Sequence, residues 1–278
     1  MNLVYIHVPG DTGNYTSPEL PEYAHHTIRW NYIYHTSSTI IVSPTDPNIE
    51  GIKYTWIDSD NYTYKLNELR EVTRVTDNFI FVTFARLYVL YHVMKEFNLE
   101  DVIHIENDNL LFYDTVNLEN YFNVRKIMYT NIGPVIGSAG FMLIPEASIY
   151  KEFCMKCIQL ITKNKSLSDM NVLSILRSDE SVCLLPSLPG DVLSDGYIFD
   201  GASYGQYIEG NNQGSGPGWI SLDHFTAPLL QSRELKVFFD ADDLPIVDQN
   251  RIQYKLFNLH IHNKSCITKY ERYRRYER

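Results

Sequence analysis

Glu106, Asn107, Asp108 and Asn109 follow directly on the apolar run Val102-Ile103-His104-Ile105. That run reads as a short buried strand, because it is apolar, β-branched and preceded by a long helical pattern. Carboxylates and amides at a strand end are costly to bury unless something pairs with them. In an open α/β sheet, the C-terminal ends of the strands face the ligand crevice. Hard oxygen donors there suit Mg²⁺ or Mn²⁺, which bind one or two protein carboxylates together with substrate phosphates. A solvated turn with an Asx cap is the competing reading, and the flanking segments favour the metal.

A second chemical cluster lies near the end of the chain. In Asn258-Leu259-His260-Ile261-His262-Asn263-Lys264, strict alternation puts His260, His262 and Lys264 on one strand face, with Leu259 and Ile261 toward a core. A neutral imidazole there completes a metal shell, and Lys264 supplies a point charge for phosphate. Arg86 falls on the first turns of a helix over Phe79–Phe97. It serves either a structural salt bridge or a bidentate contact to a diphosphate or a metal-site carboxylate. The segment 190–207 is dense in acids, small residues and aromatics, with Asp191, Asp195, Asp200 and Gln206 among them. The Gly/Pro-rich stretch Glu209–Gly218 is long for a loop, and Trp219 at its end either stacks on a sugar or anchors the loop.

Alternating strand and helix patterns must position these groups. Leu3–Val8, Ser38–Val42, Ile52–Ile57, Ile127–Asn131, Val182–Leu185 and Lys255–Ile261 read as strands; Tyr23–Tyr34, Leu66–Val75, Ile149–Asn164 and Ser168–Arg177 read as helices. His7, Val8 and Gly10 close the first strand, where a nucleotide-binding sheet contacts the nucleoside. Gly137-Ser138-Ala139-Gly140, before an apolar strand, requires close approach of backbone to another strand or to a bound sugar.

Composition limits the function. The 44% hydrophobic content supports a real core, and the formal net charge of -10 argues against general nucleic-acid binding. The N-terminus reads as a strand rather than a signal peptide, and no apolar stretch approaches the ~18 residues of a membrane span. A cytoplasmic protein is expected. Cys154, Cys157, Cys183 and Cys266 lack a second pair at metal spacing and read as free thiols.

Together, Thr83-Phe84-Ala85-Arg86-Leu87, the His104-Ile105-Glu106-Asn107-Asp108 stretch at the place of a DxD motif, Gly137–Ile144 and His260–Lys264 resemble the GT-A type glycosyltransferases. The likeness is to the galactosyltransferase and glycogenin-like branch. A group of viral and bacterial glycosyltransferases carrying H-x-E-N-D and F-D-G-A-x-x-G-Q-Y is also similar. Glu106 departs from the motif's first Asp.

The resemblance implies a mixed, mainly parallel α/β sheet flanked by helices, in one domain over 1–278. Its nucleotide-sugar half would cover about 1–130, its acceptor half about 131–265, and a basic tail 266–278. It implies Mn²⁺ or Mg²⁺ on Asp108 and His262, with His260 as the fallback ligand. A nucleoside-diphosphate sugar would meet His7, Val8, Gly10, Arg86, Glu106, Asn107 and Lys264. A carbohydrate or other hydroxyl acceptor would meet Gln206 and Trp219. An inverting reaction needs a carboxylate base, with Asp200 favoured over Asp195 and Asp191; a retaining one needs Asp195 or Gln206 beneath the anomeric carbon. A metal-dependent phosphohydrolase or nucleotidyltransferase, and a non-catalytic sugar-binding relic, are the alternatives.

Overall fold

The computed structural model describes residues 1–10, 17–35, 37–192, 196–211 and 214–274. Asp195 lies outside the described residues. The alternating pattern folds into a seven-stranded sheet built from β1 (Asn2–Ile6), β2 (Ser38–Ser43), β3 (Thr55–Asp58), β4 (Glu100–Ile105), β6 (Ile127–Gly133), β7 (Ile136–Glu146) and β8 (Val182–Leu184). Its order is β3-β2-β1-β4-β7-β6-β8. The first four strands are mutually parallel, β7 runs antiparallel between β4 and β6, and β8 is parallel to β6. This is the mixed, mainly parallel arrangement expected.

Strand alternation divides the core. Val4, Ile40 and Val102 point to the side covered by α3 (Asn78–Glu96) and α5 (Ala147–Lys163), where Leu87, Leu90, Val93, Tyr150 and Phe153 meet them. Leu3, Tyr5, Ile41 and Ile103 point the other way, with Ala24 and Ile28 of α1 (Glu22–Tyr32). Burial on both faces explains why the central strands read as continuous apolar runs. Asp77 caps α3 by accepting from Ile80 N at 3.0 Å, which fixes where the helix starts and so where Arg86 stands.

The run Lys255–Ile261 is not one strand. β12 (Ile252–Leu256) belongs to a sheet of order β10-β11-β12-β9, with β10 at Leu235–Phe239, β11 at Pro245–Gln249 and β9 at Tyr197–Ile198. β13 (Asn258–His260) pairs instead with β5 (Asn109–Leu111). The chain changes partner at Phe257, whose N–H donates to Ile198 O at 2.8 Å. Cys154, Cys157 and Cys266 are buried free thiols and Cys183 is partly buried. No helix among the described residues is long and apolar enough to cross a membrane.

Candidate active site

The acidic stretch leaves β4 at its C-terminal end and is pinned on both sides. Glu106 N donates to Gly140 O of β7 at 2.9 Å, and Asp108 O accepts from Ile261 N at 2.8 Å. This register brings the end of β13 against the end of β4. His260 Nε2 lies 3.1 Å from Glu106 Oε2 and 3.2 Å from Asp108 Oδ1. One ligand atom from each of these three residues lies within 4.8 Å of the others. His260 Nδ1 is buried without a partner among the protein atoms, so Nε2 is the ring nitrogen that meets the two carboxylates, and a cation there would take the place of its proton. Two carboxylate oxygens and an imidazole nitrogen converging at a strand end fit Mn²⁺ or Mg²⁺.

Cations flank the acids. Arg86 Nη1 sits 2.6 Å from Glu106 Oε1, and Lys264 forms an ion pair with Asp108 Oδ2. Burial alone would raise Glu106, but Arg86 and His260 together hold it well below the ordinary carboxylate value. Burial lowers Lys264 to about 8, opposed by Glu106. Of the two roles the sequence left open for Arg86, the structure holds the salt bridge, made to Glu106 and Asp169.

Sequence reasoning missed Asp169. It opens α6 (Asp169–Leu176), is buried, and places Oδ2 3.8 Å from Arg86 Nη2. Burial raises its carboxyl, against the pull of Arg86. The signal was present: Ser168 and Asp169 are tandem cap candidates, and one cap suffices. Ser168 Oγ accepts from Asn171 N at 3.3 Å, which leaves the Asp169 side chain for Arg86.

Four backbone N–H groups clamp Asp200, the residue expected as a base. Its Oδ1 accepts from Ala202 N at 2.9 Å and Tyr204 N at 3.0 Å; its Oδ2 accepts from Gly205 N at 2.8 Å and His260 N at 3.0 Å. It is fully buried. Those four donors tie the start of α7 (Ser203–Glu209) to β13 and hold Ala202 at φ 125°, a strained region for a residue with a Cβ. A carboxylate with both oxygens engaged by backbone has no free lone pair directed at an acceptor hydroxyl.

His262 also departs from expectation. The strand ends at His260, so alternation stops there, and His262 Nδ1 lies 3.1 Å from Gln206 Nε2 rather than on the acids. Burial, reinforced by His260, lowers it to about 4. The imidazole beside Asp108 is His260, and Glu106 joins the same group. The small residues of β7 answer to protein neighbours. A Cβ on Gly140 would lie 2.6 Å from His260 Nδ1, and one on Gly137 would lie 2.5 Å from Leu173 Cβ.

Among the remaining candidates, His7 is buried with Nε2 3.0 Å from Ser17 O, and the Val8 side chain belongs to the core under α3. Gly10 is partly buried, and Asn107 Oδ1 is buried without a protein partner. Gln206 is buried, while Asp191 and Trp219 are exposed. A cavity of about 610 Å³ lies at the opposite ends of the strands, among Met1, Asp101, Asp114, Glu119 and Arg125, and contains none of these residues.

The chain is similar to solved structures of glycosyltransferases. A galactosyltransferase, LgtC, in complex with donor and acceptor sugar analogues, is 10% identical over 81% of this chain and 85% of that one, with a TM-score of 0.47. A mouse xyloside xylosyltransferase is 12% identical over 67% of this chain and 85% of that one, at 0.46. GlyE of Streptococcus pneumoniae is 14% identical over 67% of this chain and 45% of that one, at 0.43. No protein-family model matches the chain, and no curated protein matches it by sequence.

Proposed function

We propose that the chain is a metal-dependent glycosyltransferase that moves a sugar from a nucleoside-diphosphate sugar to a hydroxyl acceptor. One observation carries the reading: His260 Nε2 stands within about 3 Å of both Glu106 and Asp108, at the crevice end of β4. Glu106, Asp108 and His260 would hold the divalent cation, which supplies electrostatic stabilisation of the departing diphosphate.

The chain's own groups do the rest. Lys264 gives a mobile ammonium for phosphate oxygens. Arg86, gripped by Glu106 and Asp169, keeps its guanidinium in a fixed orientation beside the cation ligands. Asp169 adds a buried acceptor for a donor hydroxyl. Asp200 positions His260 through its backbone N–H and holds Gln206 on α7 next to His262. With Asp200 occupied, an inverting reaction would draw its base from Asp191 or Asp195.

The test is product identity. Purified protein is incubated with a panel of nucleotide sugars, with and without Mn²⁺, and the released nucleotide is identified. The reading expects nucleoside diphosphate, released only with the metal. Nucleoside monophosphate with sugar 1-phosphate would instead make it a phosphohydrolase, and sugar binding without turnover or metal dependence would make it a binding protein.

A further inference from the structure

The carboxylates that would take a cation are already shared among the protein's own groups. Lys264 Nζ is paired with Asp108 Oδ2, while His260 Nε2 meets Oδ1. Glu106 is divided in the same way between Arg86 and His260. Three carboxylates, Glu106, Asp108 and Asp169, face two cationic side chains, Arg86 and Lys264, leaving one net negative charge. A dication bound there alone would share Asp108 with an ammonium at contact distance, and the two repel.

The two cationic side chains are not equally able to leave. Arg86 is forked between Glu106 and Asp169. Lys264 stands at the start of a short 3₁₀ turn, Lys264–Cys266, on four rotatable methylenes. Its Nζ also donates to Ile261 O at 3.2 Å and lies 5.5 Å from the Tyr23 ring centroid. A compact ammonium on a flexible stem transfers from a carboxylate to a phosphate oxygen without moving backbone.

We propose that Lys264 is an internal counterion of the metal site, holding Asp108 until a diphosphate draws its ammonium away. This rests on the metal-site reading above and adds to it a reason for cation and nucleotide to arrive together. Lys264 weakens the lone cation and strengthens the diphosphate. Because coupling between two ligands is reciprocal, each then raises the affinity for the other beyond what their direct contact provides.

Mn²⁺ is titrated into wild type and Lys264→Met, alone and with ADP, CDP, GDP or UDP, following free Mn²⁺ by electron paramagnetic resonance. Lys264→Met should bind Mn²⁺ alone about tenfold tighter than wild type or better, and gain less from the diphosphate. Lys264→Gln, which keeps a polar end without the charge, should behave alike, and thermal melts verify that both variants are folded. Mn²⁺ bound equally or more weakly by both folded variants overturns the counterion role and leaves the metal site standing. Failure of wild type and variants alike to bind Mn²⁺, with or without any diphosphate, overturns the metal-site reading and this inference with it.

Discussion

The Nε2 of His260 lies 3.2 Å from Oδ1 of Asp108, which joins the last strand of the sheet system to the end of the fourth. The contact depends on the absence of a side chain in β7. Gly140 has no Cβ, and one placed there would meet His260 Nδ1 at 2.6 Å and Cε1 at 2.8 Å. Gly140→Ala should therefore push the imidazole off the carboxylates. The expected result is Mn²⁺ affinity lowered by about 10–100-fold, the scale of a disturbed supporting shell. The stability cost should be about 1–3 kcal/mol. Calorimetric titration and urea denaturation measure the two; unchanged Mn²⁺ affinity would mean that His260 is not a ligand.

How much of this could be read beforehand depends on the kind of signal. Val102–Ile105 and the acids after it were legible, because an apolar β-branched run that stops at carboxylates is a local pattern. Arg86 was legible as a charge in an apolar helix. The choice between His260 and His262 was not, since alternation holds only while the strand continues, and β13 ends at His260. The end is set by pairing with β5, a contact distant in sequence. Asp200 was ambiguous for the same reason: an Asp before Gly-Ala-Ser is compatible with a base or a cap. Only the fold supplies His260 N as its fourth donor. The part of the β10–β12 meander before Lys255 went unassigned, the half-exposed β10 and β12 giving a weak apolar pattern.

Asp200 separates clamp from base. Asp200→Ala removes the acceptor for four buried N–H groups and should cost about 3 kcal/mol or more. Asp200→Asn keeps one oxygen and should lose less, though still measurably, because its amide would face N–H donors. Urea midpoints of the three proteins test this. Wild-type stability in Asp200→Asn, with kcat reduced about 10²–10⁴-fold, would return the residue to the role of base.

Acid should destabilise the fold through His224. His224 is buried with Nδ1 3.0 Å from Ser203 Oγ, and burial lowers its pKa below the ordinary 6.5, against the weaker pull of Asp200 and Asp223. The unfolded chain takes up this proton near 6.5 while the folded chain resists it. The stability is therefore fully present above 6.5 and is lost as pH falls toward the depressed folded value. His7, His35 and His104 are shifted in the same direction by burial. Tm measured from pH 7.5 down to about 5 should fall less steeply in His224→Gln than in wild type. Parallel slopes would remove His224 from the acid response.

The most direct measurement is the number of Mn²⁺ ions held per chain at saturating nucleoside diphosphate, by electron paramagnetic resonance, in wild type and in Asp108→Asn. Asp108 contributes one of the three ligand atoms that converge at the end of β4. Wild type should hold Mn²⁺ and Asp108→Asn should lose it, with the thermal melt showing the variant still folded. Mn²⁺ held equally by the two proteins would contradict the metal-site reading.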